Sequence, residues 1–269
     1  MILHRKVFDM FGNYQAELCA GGIGDVLTAS RFPIDRIELN SALELGGLTP
    51  SISTLVLAKK NTAVPIVCMV RPRTAGFVYS EAEIRVMFED ARMLLEHGAD
   101  GIVFGFLNPD LTVDEKNTET MCRLIHSFEK TAVFHRAFDI TSDPYEAIEA
   151  LIRCGCDRVL TSGQAETAPL GASLIQDLIN LHHDEIDILP GCGINADNVK
   201  ELLEETCASM FHMSARSMRE DCGSYAACDA RRLQAVLDVL SSCHPPVKKI
   251  LTREDAELMQ EDVFERQFD

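Results

Sequence analysis

Polar and charged residues follow short apolar segments at several points in this sequence, in positions where they could bind an anion or transfer protons. The densest group is His135-Arg136-Ala137-Phe138-Asp139. Histidine titrates near neutral pH, and a carboxylate within reach can complete a general acid/base pair with it. A histidine that is only hydrogen-bonded in the protein interior accounts for the same residues. The pattern therefore makes His135 and Asp139 candidate catalytic residues and leaves both interpretations open.

Two short segments late in the chain indicate an anion site. The first contains Gly191 and Gly193, and the second contains Ser214 and Arg216. Barrel proteins often bind phosphate through backbone amides of late loops and a helix N-terminus, and a guanidinium group offers a fork for an oxyanion. Tight turns between strands and helices would use the same glycines. We take these four residues and Ser162, which follows an earlier apolar run, as candidate anion-binding residues.

The elements that must position these residues alternate between two types. Short apolar runs predict strands near 15–19, 34–40, 64–71, 101–104, 131–137, 157–162, 186–190 and 209–214. Segments of helical periodicity predict helices near 22–31, 51–62, 80–97, 114–129, 143–154, 169–182, 195–206 and 229–241. This alternation favours an α/β fold, a single (β/α)8 TIM-type barrel with a C-terminal helical extension. An open doubly wound sheet would have the same pattern.

The chain is predicted to contain one domain. The barrel is assigned to residues 15–241, after an N-terminal segment, 1–14, and before an acidic C-terminal tail, 242–269. A chain of 269 residues is close to the ~250 residues of one such barrel. Apolar residues in the tail could dock on the barrel or on a neighbouring copy.

Side-chain alternation along each strand predicts which residues point into the barrel. The predicted inward set is Glu17, Cys19, Arg36, Glu38, Asn40, Val67, Met69, Arg71, Arg73, His212, Ser214 and Arg216. Many of these residues are charged, and they fall near strand C-terminal ends, where barrel enzymes carry their chemistry. For Arg36, which lies low on its strand, a structural ion pair is the favoured interpretation.

Buried charges without partners are costly, so the inward carboxylates need cations or a ligand. We expect Glu17, Glu38 and Asp139 to pair with Arg71, Arg73 and Arg216, or with a bound molecule. Glu17 and Glu38 are further catalytic candidates. Arg71 and Arg73 are further candidates for anion binding.

Composition restricts the partners that the protein can have. The formal net charge is −17, which argues against nucleic acid and against anionic membrane surfaces. No apolar stretch approaches the ~18 residues of a membrane span, and the first residues do not resemble a secretory signal. The ten cysteines are scattered along a chain that can fold on its own core, which favours reduced thiols. We expect a cytoplasmic protein with a small-molecule or ion partner.

Several short motifs occur in order over most of the chain. They are Arg36-Ile37-Glu38-Leu39, Glu44-Leu45-Gly46-Gly47-Leu48-Thr49-Pro50-Ser51, Arg71-Pro72-Arg73, Phe134-His135-Arg136-Ala137-Phe138-Asp139, Arg158-Val159-Leu160-Thr161-Ser162-Gly163 and Ser214-Ala215-Arg216. Together they resemble the CutC copper homeostasis family. The resemblance implies a TIM-type barrel that often forms homo-oligomers, and a role in Cu(I) binding and intracellular trafficking.

The resemblance also implies where copper would bind. Many relatives have Glu-Leu-Cys at the end of the second strand, whereas this chain has Asn40 after Leu39. Cys19 is then the remaining thiol of the implied site, and Cys192, at a position where glycine or alanine is usual, could replace the missing one. Cu(I) prefers soft thiolate and thioether ligands, and His135 or His212 could add an imidazole.

Two functional hypotheses therefore remain from the sequence. One is a copper homeostasis protein that binds Cu(I) through Cys19, with Cys192 or a histidine. The other is a barrel enzyme of unknown reaction that acts on a small anionic substrate, such as a phosphorylated molecule, because the remaining residues of the predicted site are charged and polar. A scaffold without any ligand at the barrel mouth is the least favoured interpretation.

Overall fold

The structure is a computed structural model, and it describes residues 14–243. The strands of the main sheet are β1 (Gln15–Ala20), β2 (Arg36–Leu39), β3 (Ile66–Met69), β4 (Gly101–Phe104), β5 (Thr131–Phe134), β6 (Arg158–Thr161), β7 (Asp187–Pro190) and β8 (Met210–Met213). The helices are α1 (Ile23–Ala29), α2 (Ile52–Asn61), α3 (Glu81–Glu96), α4 (Glu115–Ser127), α5 (Pro144–Cys154), α6 (Ala172–His182), α7 (Val199–Thr206) and α8 (Ala230–Ser242).

The eight strands form one parallel sheet that curves into a barrel. Their order is β7-β6-β5-β4-β3-β2-β1-β8, with parallel pairing between all of these neighbours. A single parallel bridge between Gly191, just after β7, and His212 of β8 connects the two ends of this order. The predicted (β/α)8 barrel is therefore confirmed, and the open doubly wound sheet is excluded.

Local signals explain where several helices begin and end. Ser80 caps α3 through a capping box with Glu83, in which each side chain accepts a hydrogen bond from the other residue's backbone amide. The Asp143 side chain caps α5, whose first residue is Pro144. Gly155 ends α5 in the left-handed conformation at φ +83.

The apolar core has two parts. The larger part lies between the strands and the surrounding helices. Inside the barrel, Val67, Met69, Val103 and Val133 form a separate buried cluster, and Leu160, Leu189 and Met210 form another. These interior side chains fill part of the barrel below its mouth, beside the buried charged residues Glu17 and Arg158.

The structure also corrects parts of the sequence prediction. After β8 the chain forms an antiparallel hairpin of β9 (Arg216–Glu220) and β10 (Ser224–Cys228), which the sequence analysis did not predict. The predicted fifth strand, 131–137, ends at 134, because residues Arg136–Ile140 form a 3-10 helix. Another 3-10 helix, Leu43–Leu45, follows β2.

Two predicted segments lie largely outside the described residues. These are the N-terminal segment, 1–14, and the acidic tail, 242–269, of which only residues 14, 242 and 243 are described. Among residues 14–243, no helix has both the length and the apolar character needed to cross a membrane.

Candidate functional site

A cavity of about 910 Å³ opens at the end of the barrel where the strands terminate. Its polar and sulfur-containing lining includes Cys19, Glu38, Asn40, Met69, Arg71, His135, Arg136, Cys192, His212, Ser214 and Arg216. These residues come from the ends of β1, β2, β3 and β8 and from the segments that follow β2, β3, β5, β7 and β8. The placement agrees with the general rule for barrels, in which the C-terminal strand ends carry the site.

The barrel register brings Glu17 beside two cationic side chains. Glu17 is aligned with Arg36 on β2 and with His212 on β8. The Arg36 guanidinium donates to Oε2 of Glu17, and Nδ1 of His212 lies 2.7 Å from Oε1 of Glu17. Glu17 does not line the cavity, so its carboxylate supports the site from the layer below.

Two residues further along the strands, at the next inward-facing position, Cys19 is aligned with Glu38. The Sγ of Cys19, a carboxylate oxygen of Glu38 and a ring nitrogen of His212 all lie within 4.8 Å of one another. Asn40 joins this group, because its Nδ2 donates to Oε1 of Glu38 at 2.7 Å and contacts Sγ of Cys19 at 3.6 Å. The amide therefore occupies the place that the family resemblance assigns to a second thiol.

Burial and neighbouring charges shift the pKa values of this group. Burial raises the pKa of the Cys19 thiol, and the charge of Glu38 raises it further. Burial also raises the pKa of Glu38. Burial alone would lower the pKa of His212, but the charge of Glu38 and the hydrogen bonds of Cys19 and Glu17 outweigh it, so the pKa is raised well above its ordinary value. The group can therefore hold protons that a ligand would displace.

His135 and Arg71 lie on another part of the cavity wall. The Phe77 ring contacts both side chains, with its centroid 4.8 Å from that of His135 and 5.1 Å from Cζ of Arg71. Nη1 and Nη2 of Arg71 donate to backbone carbonyls of residues 45, 46, 47 and 75. Burial and the nearby Arg71 charge lower the pKa of His135 to about 3.

Asp139 lies outside the cavity lining, and the pairing predicted for it is wrong. Its carboxylate accepts hydrogen bonds from Arg136, Thr161 and Ser162, including the Ser162 backbone amide. These bonds tie the 3-10 helix after β5 to the end of β6. No hydrogen bond between Asp139 and His135 is found within residues 14–243, because the turn of the 3-10 helix carries the carboxylate toward β6.

The ion pairs that Arg73 and Glu17 make in the structure also differ from those that the sequence analysis predicted. Arg73 pairs with Glu83 of α3 and packs over the Tyr79 ring, so it does not line the cavity. Glu17 pairs with Arg36 in the neighbouring strand, which agrees with the structural interpretation of that arginine. The register places Arg36 of β2 beside Glu17, whereas the sequence analysis expected Glu17 to pair with Arg71, Arg73 or Arg216, or with a bound molecule.

The predicted anion-binding residues separate into two sets. Ser214 and Arg216 line the cavity, and so does Gly193. The amide of Gly191 donates to the carbonyl of Thr161, so its predicted use as an anion ligand is wrong. Ser162 is also outside the lining, because its hydroxyl group bonds Asp139 and the Ala165 carbonyl.

Cys192 lines the cavity but does not join the group around Cys19. Its Sγ donates to the Glu166 carbonyl at 3.3 Å, and its backbone has φ +80, a value that favours glycine. The set of potential metal ligands found within residues 14–243 contains Cys19, Glu38 and His212 and omits Cys192. The expectation that Cys192 replaces the missing thiol is therefore not supported by this geometry.

Sequence reasoning missed the roles of Asn40 and Phe77. Asn40 was noted only as a substitution for a thiol, although its place in the inward set could have identified it as a hydrogen-bond donor to Glu38. Phe77 carried no sequence signal, because it lies in a loop between β3 and α3. The sequence analysis placed His212 in the inward set but did not predict its contact with Glu17. That contact follows from the alignment of the two residues in β8 and β1.

Fold and site together define a class, namely (β/α)8 barrels with a thiol, a carboxylate and an imidazole gathered at the C-terminal mouth. The sequence profile of the CutC family matches residues 14–217. The chain belongs to the CutC family.

Named relatives agree with this assignment. A CutC family protein of Treponema denticola is 46% identical over 209 residues, which cover 78% of this chain and 84% of the relative. The human copper homeostasis protein cutC homolog is 41% identical over 204 residues, covering 76% of this chain and 74% of the relative. A crystal structure of CutC from Streptococcus agalactiae matches with a TM-score of 0.70 and 29% identity, covering 74% of this chain and 97% of that one.

Proposed function

We propose that this protein binds Cu(I) at the barrel mouth through Cys19 and His212, with Glu38 completing the ligand set. The proposal is carried by one observation, the grouping of the three ligand atoms within 4.8 Å of one another. A cysteine sulfur is the soft ligand that Cu(I) prefers, and imidazole is a common copper ligand. The family name of the relatives points to the same metal.

The surroundings of His212 favour its use as a ligand. Glu17 occupies Nδ1, which leaves Nε2 for a metal. A carboxylate behind a histidine fixes the orientation of the ring and makes the imidazole a better donor. Binding would displace the proton of the Cys19 thiol, since the thiolate is the form that binds metals.

The cellular setting of this activity is part of the proposal. We place Cu(I) binding and trafficking in the cytoplasm, and we propose that the protein acts as a homo-oligomer. None of the ten cysteines is in a disulfide in the structure, so all ten side chains are thiols. Cell fractionation tests the location, and light scattering coupled to size-exclusion chromatography tests the assembly.

The test of the copper site is a competition titration. The reduced, metal-free protein would be titrated with Cu(I) against a chelator of known affinity, beside the variants Cys19→Ser and Cys192→Ser. We expect one tight site that Cys19→Ser loses and Cys192→Ser keeps, because only the Cys19 thiol lies in the ligand group. Equal Cu(I) affinity in the native protein and Cys19→Ser would contradict the proposal.

A further inference from the structure

Four of the eight buried polar side-chain atoms that have no hydrogen-bond partner within residues 14–243 belong to residues that line the cavity. They are Oε2 of Glu38, Oδ1 of Asn40, Nε of Arg71 and Nε2 of His135. A buried donor or acceptor without a partner costs about 1–3 kcal/mol. Oδ1 of Asn40 packs against Gly47, so the other three atoms are the ones that a ligand in the cavity would satisfy.

The His135 side chain is the clearest of these donors. Its Nδ1 accepts a hydrogen bond from the backbone amide of Ala137 at 3.1 Å, so the ring proton must lie on Nε2. The ring is 3% exposed, and its low pKa of about 3 keeps it neutral at physiological pH. His135 therefore presents an uncharged N–H donor that nothing in the described residues accepts.

Arg71 presents a second donor on the same side. Its two terminal nitrogens donate to backbone carbonyls, and Nε–H has no acceptor at hydrogen-bond geometry within residues 14–243, although the guanidinium is close enough to the Tyr79 hydroxyl to lower the pKa of that group against the larger effect of burial, which raises it. Because these bonds fix the guanidinium against the Phe77 ring, Arg71 cannot turn to find another acceptor. Arg216 is a second arginine of the cavity lining.

Oε2 of Glu38 is an acceptor without a partner within residues 14–243. The cavity lining thus contains N–H donors on His135 and Arg71 and a carboxylate oxygen on Glu38. β2 and β5, which lead to Glu38 and His135, are separated by two strands in the sheet order, so the two side chains approach the cavity from different sides. The volume of about 910 Å³ is within the range of small-molecule sites.

We infer that the cavity binds a small hydroxylated organic anion, with His135 and Arg71 donating to its anionic or carbonyl oxygen and Glu38 accepting from its hydroxyl group. This inference goes beyond the Cu(I) proposal and does not rest on it, because the two donors, His135 and Arg71, are outside the proposed metal ligands, and only Glu38 is shared by the two sites. His135 acts as a neutral donor to the ligand oxygen, the role that suits polarisation of a carbonyl group.

Calorimetry of the full-length, metal-free protein with 3-phosphoglycerate tests this inference. This probe carries carboxylate, hydroxyl and phosphate groups, and glycerol serves as the uncharged comparison. We expect saturable binding of 3-phosphoglycerate and none of glycerol. The variant His135→Phe should bind at least about tenfold more weakly, whereas Arg73→Met should bind normally because Arg73 lies outside the cavity.

A second variant, Gly105→Ala, tests the role of His135 independently, in case His135→Phe does not fold. A Cβ atom at Gly105 would lie 2.5 Å from Cε1 of His135, so Gly105→Ala should displace the ring without removing it and should also weaken binding. Absence of 3-phosphoglycerate binding at millimolar concentration, or full binding by both variants, would overturn the inference. The calorimetry uses metal-free protein and no copper, so its outcome is independent of success or failure of the copper proposal.

Discussion

His212 and Glu17 meet across the junction of β8 and β1, with Nδ1 of the imidazole 2.7 Å from Oε1 of the carboxylate. Arg36 holds the other carboxylate oxygen. The ring of His212 is therefore fixed from below the cavity, and one of its nitrogens lies within 4.8 Å of Sγ of Cys19 and of a carboxylate oxygen of Glu38. This contact connects a structural layer of the barrel to the proposed ligand site.

Replacing Glu17 should weaken the copper site although Glu17 does not line the cavity. Glu17→Gln removes the charge that holds the His212 ring, and loss of such a partner commonly reduces metal affinity by about 10–100-fold. Competition titration with Cu(I) measures the change. Glu81→Gln, at a side chain that is 90% exposed on α3, is the matched control. Unchanged Cu(I) affinity in Glu17→Gln would show that His212 needs no support.

Restoring a thiol at position 40 should strengthen Cu(I) binding. Nδ2 of Asn40 lies 3.6 Å from Sγ of Cys19, so Asn40→Cys would place a second soft ligand beside the first. We expect at least about a tenfold gain in Cu(I) affinity, measured by the same titration. Asn40→Ser controls for loss of the amide. A gain with serine, or none with cysteine, would count against a site at Cys19.

Protonation of His135 should accompany acid unfolding. Its pKa is about 3 in the folded protein, against an ordinary value of 6.5, so the unfolded chain binds the proton first. Stability is then complete above pH 6.5 and falls as the pH decreases from 6.5 toward 3. In nitrogen NMR spectra the His135 ring should stay neutral, with its proton on Nε2, from pH 8 to pH 5. Titration of this ring near pH 6.5 would refute the assignment.

Asp139 should be important for stability and unimportant for ligand binding. Its buried carboxylate accepts several hydrogen bonds that join the segment after β5 to β6. Asp139→Ala should lower the free energy of unfolding by about 3 kcal/mol, measured by chemical denaturation. Asp238→Ala, on the exposed face of α8, should change it little. A stable Asp139→Ala protein with impaired anion binding would restore Asp139 as a site residue.

The fold could be predicted from the sequence because its signals are local. Apolar runs, helical periodicity and caps such as Ser80 act within a few residues, and all eight predicted strands and helices are present. The β9–β10 hairpin was missed, since its residues are mostly exposed and lack the apolar alternation of a half-buried strand.

The site could be predicted only in part, because its contacts depend on register and backbone direction. Strand alternation correctly placed Cys19, Glu38, Arg71 and His212 at the cavity. It could not show that Glu17 would be aligned with Arg36. Nor could it show that a 3-10 helix would turn Asp139 away, since that turn is fixed by contacts with residues distant in sequence.

X-ray absorption spectroscopy of the protein loaded with one equivalent of Cu(I) tests the central claim most directly. Away from the barrel mouth, the thiols of Cys122 and Cys156 form a close pair, with their sulfur atoms 3.6 Å apart in the buried core. Binding at the barrel mouth predicts a mixed shell of one sulfur and nitrogen or oxygen ligands, lost in Cys19→Ser. A shell of sulfur alone that persists in Cys19→Ser would place copper elsewhere and contradict the account.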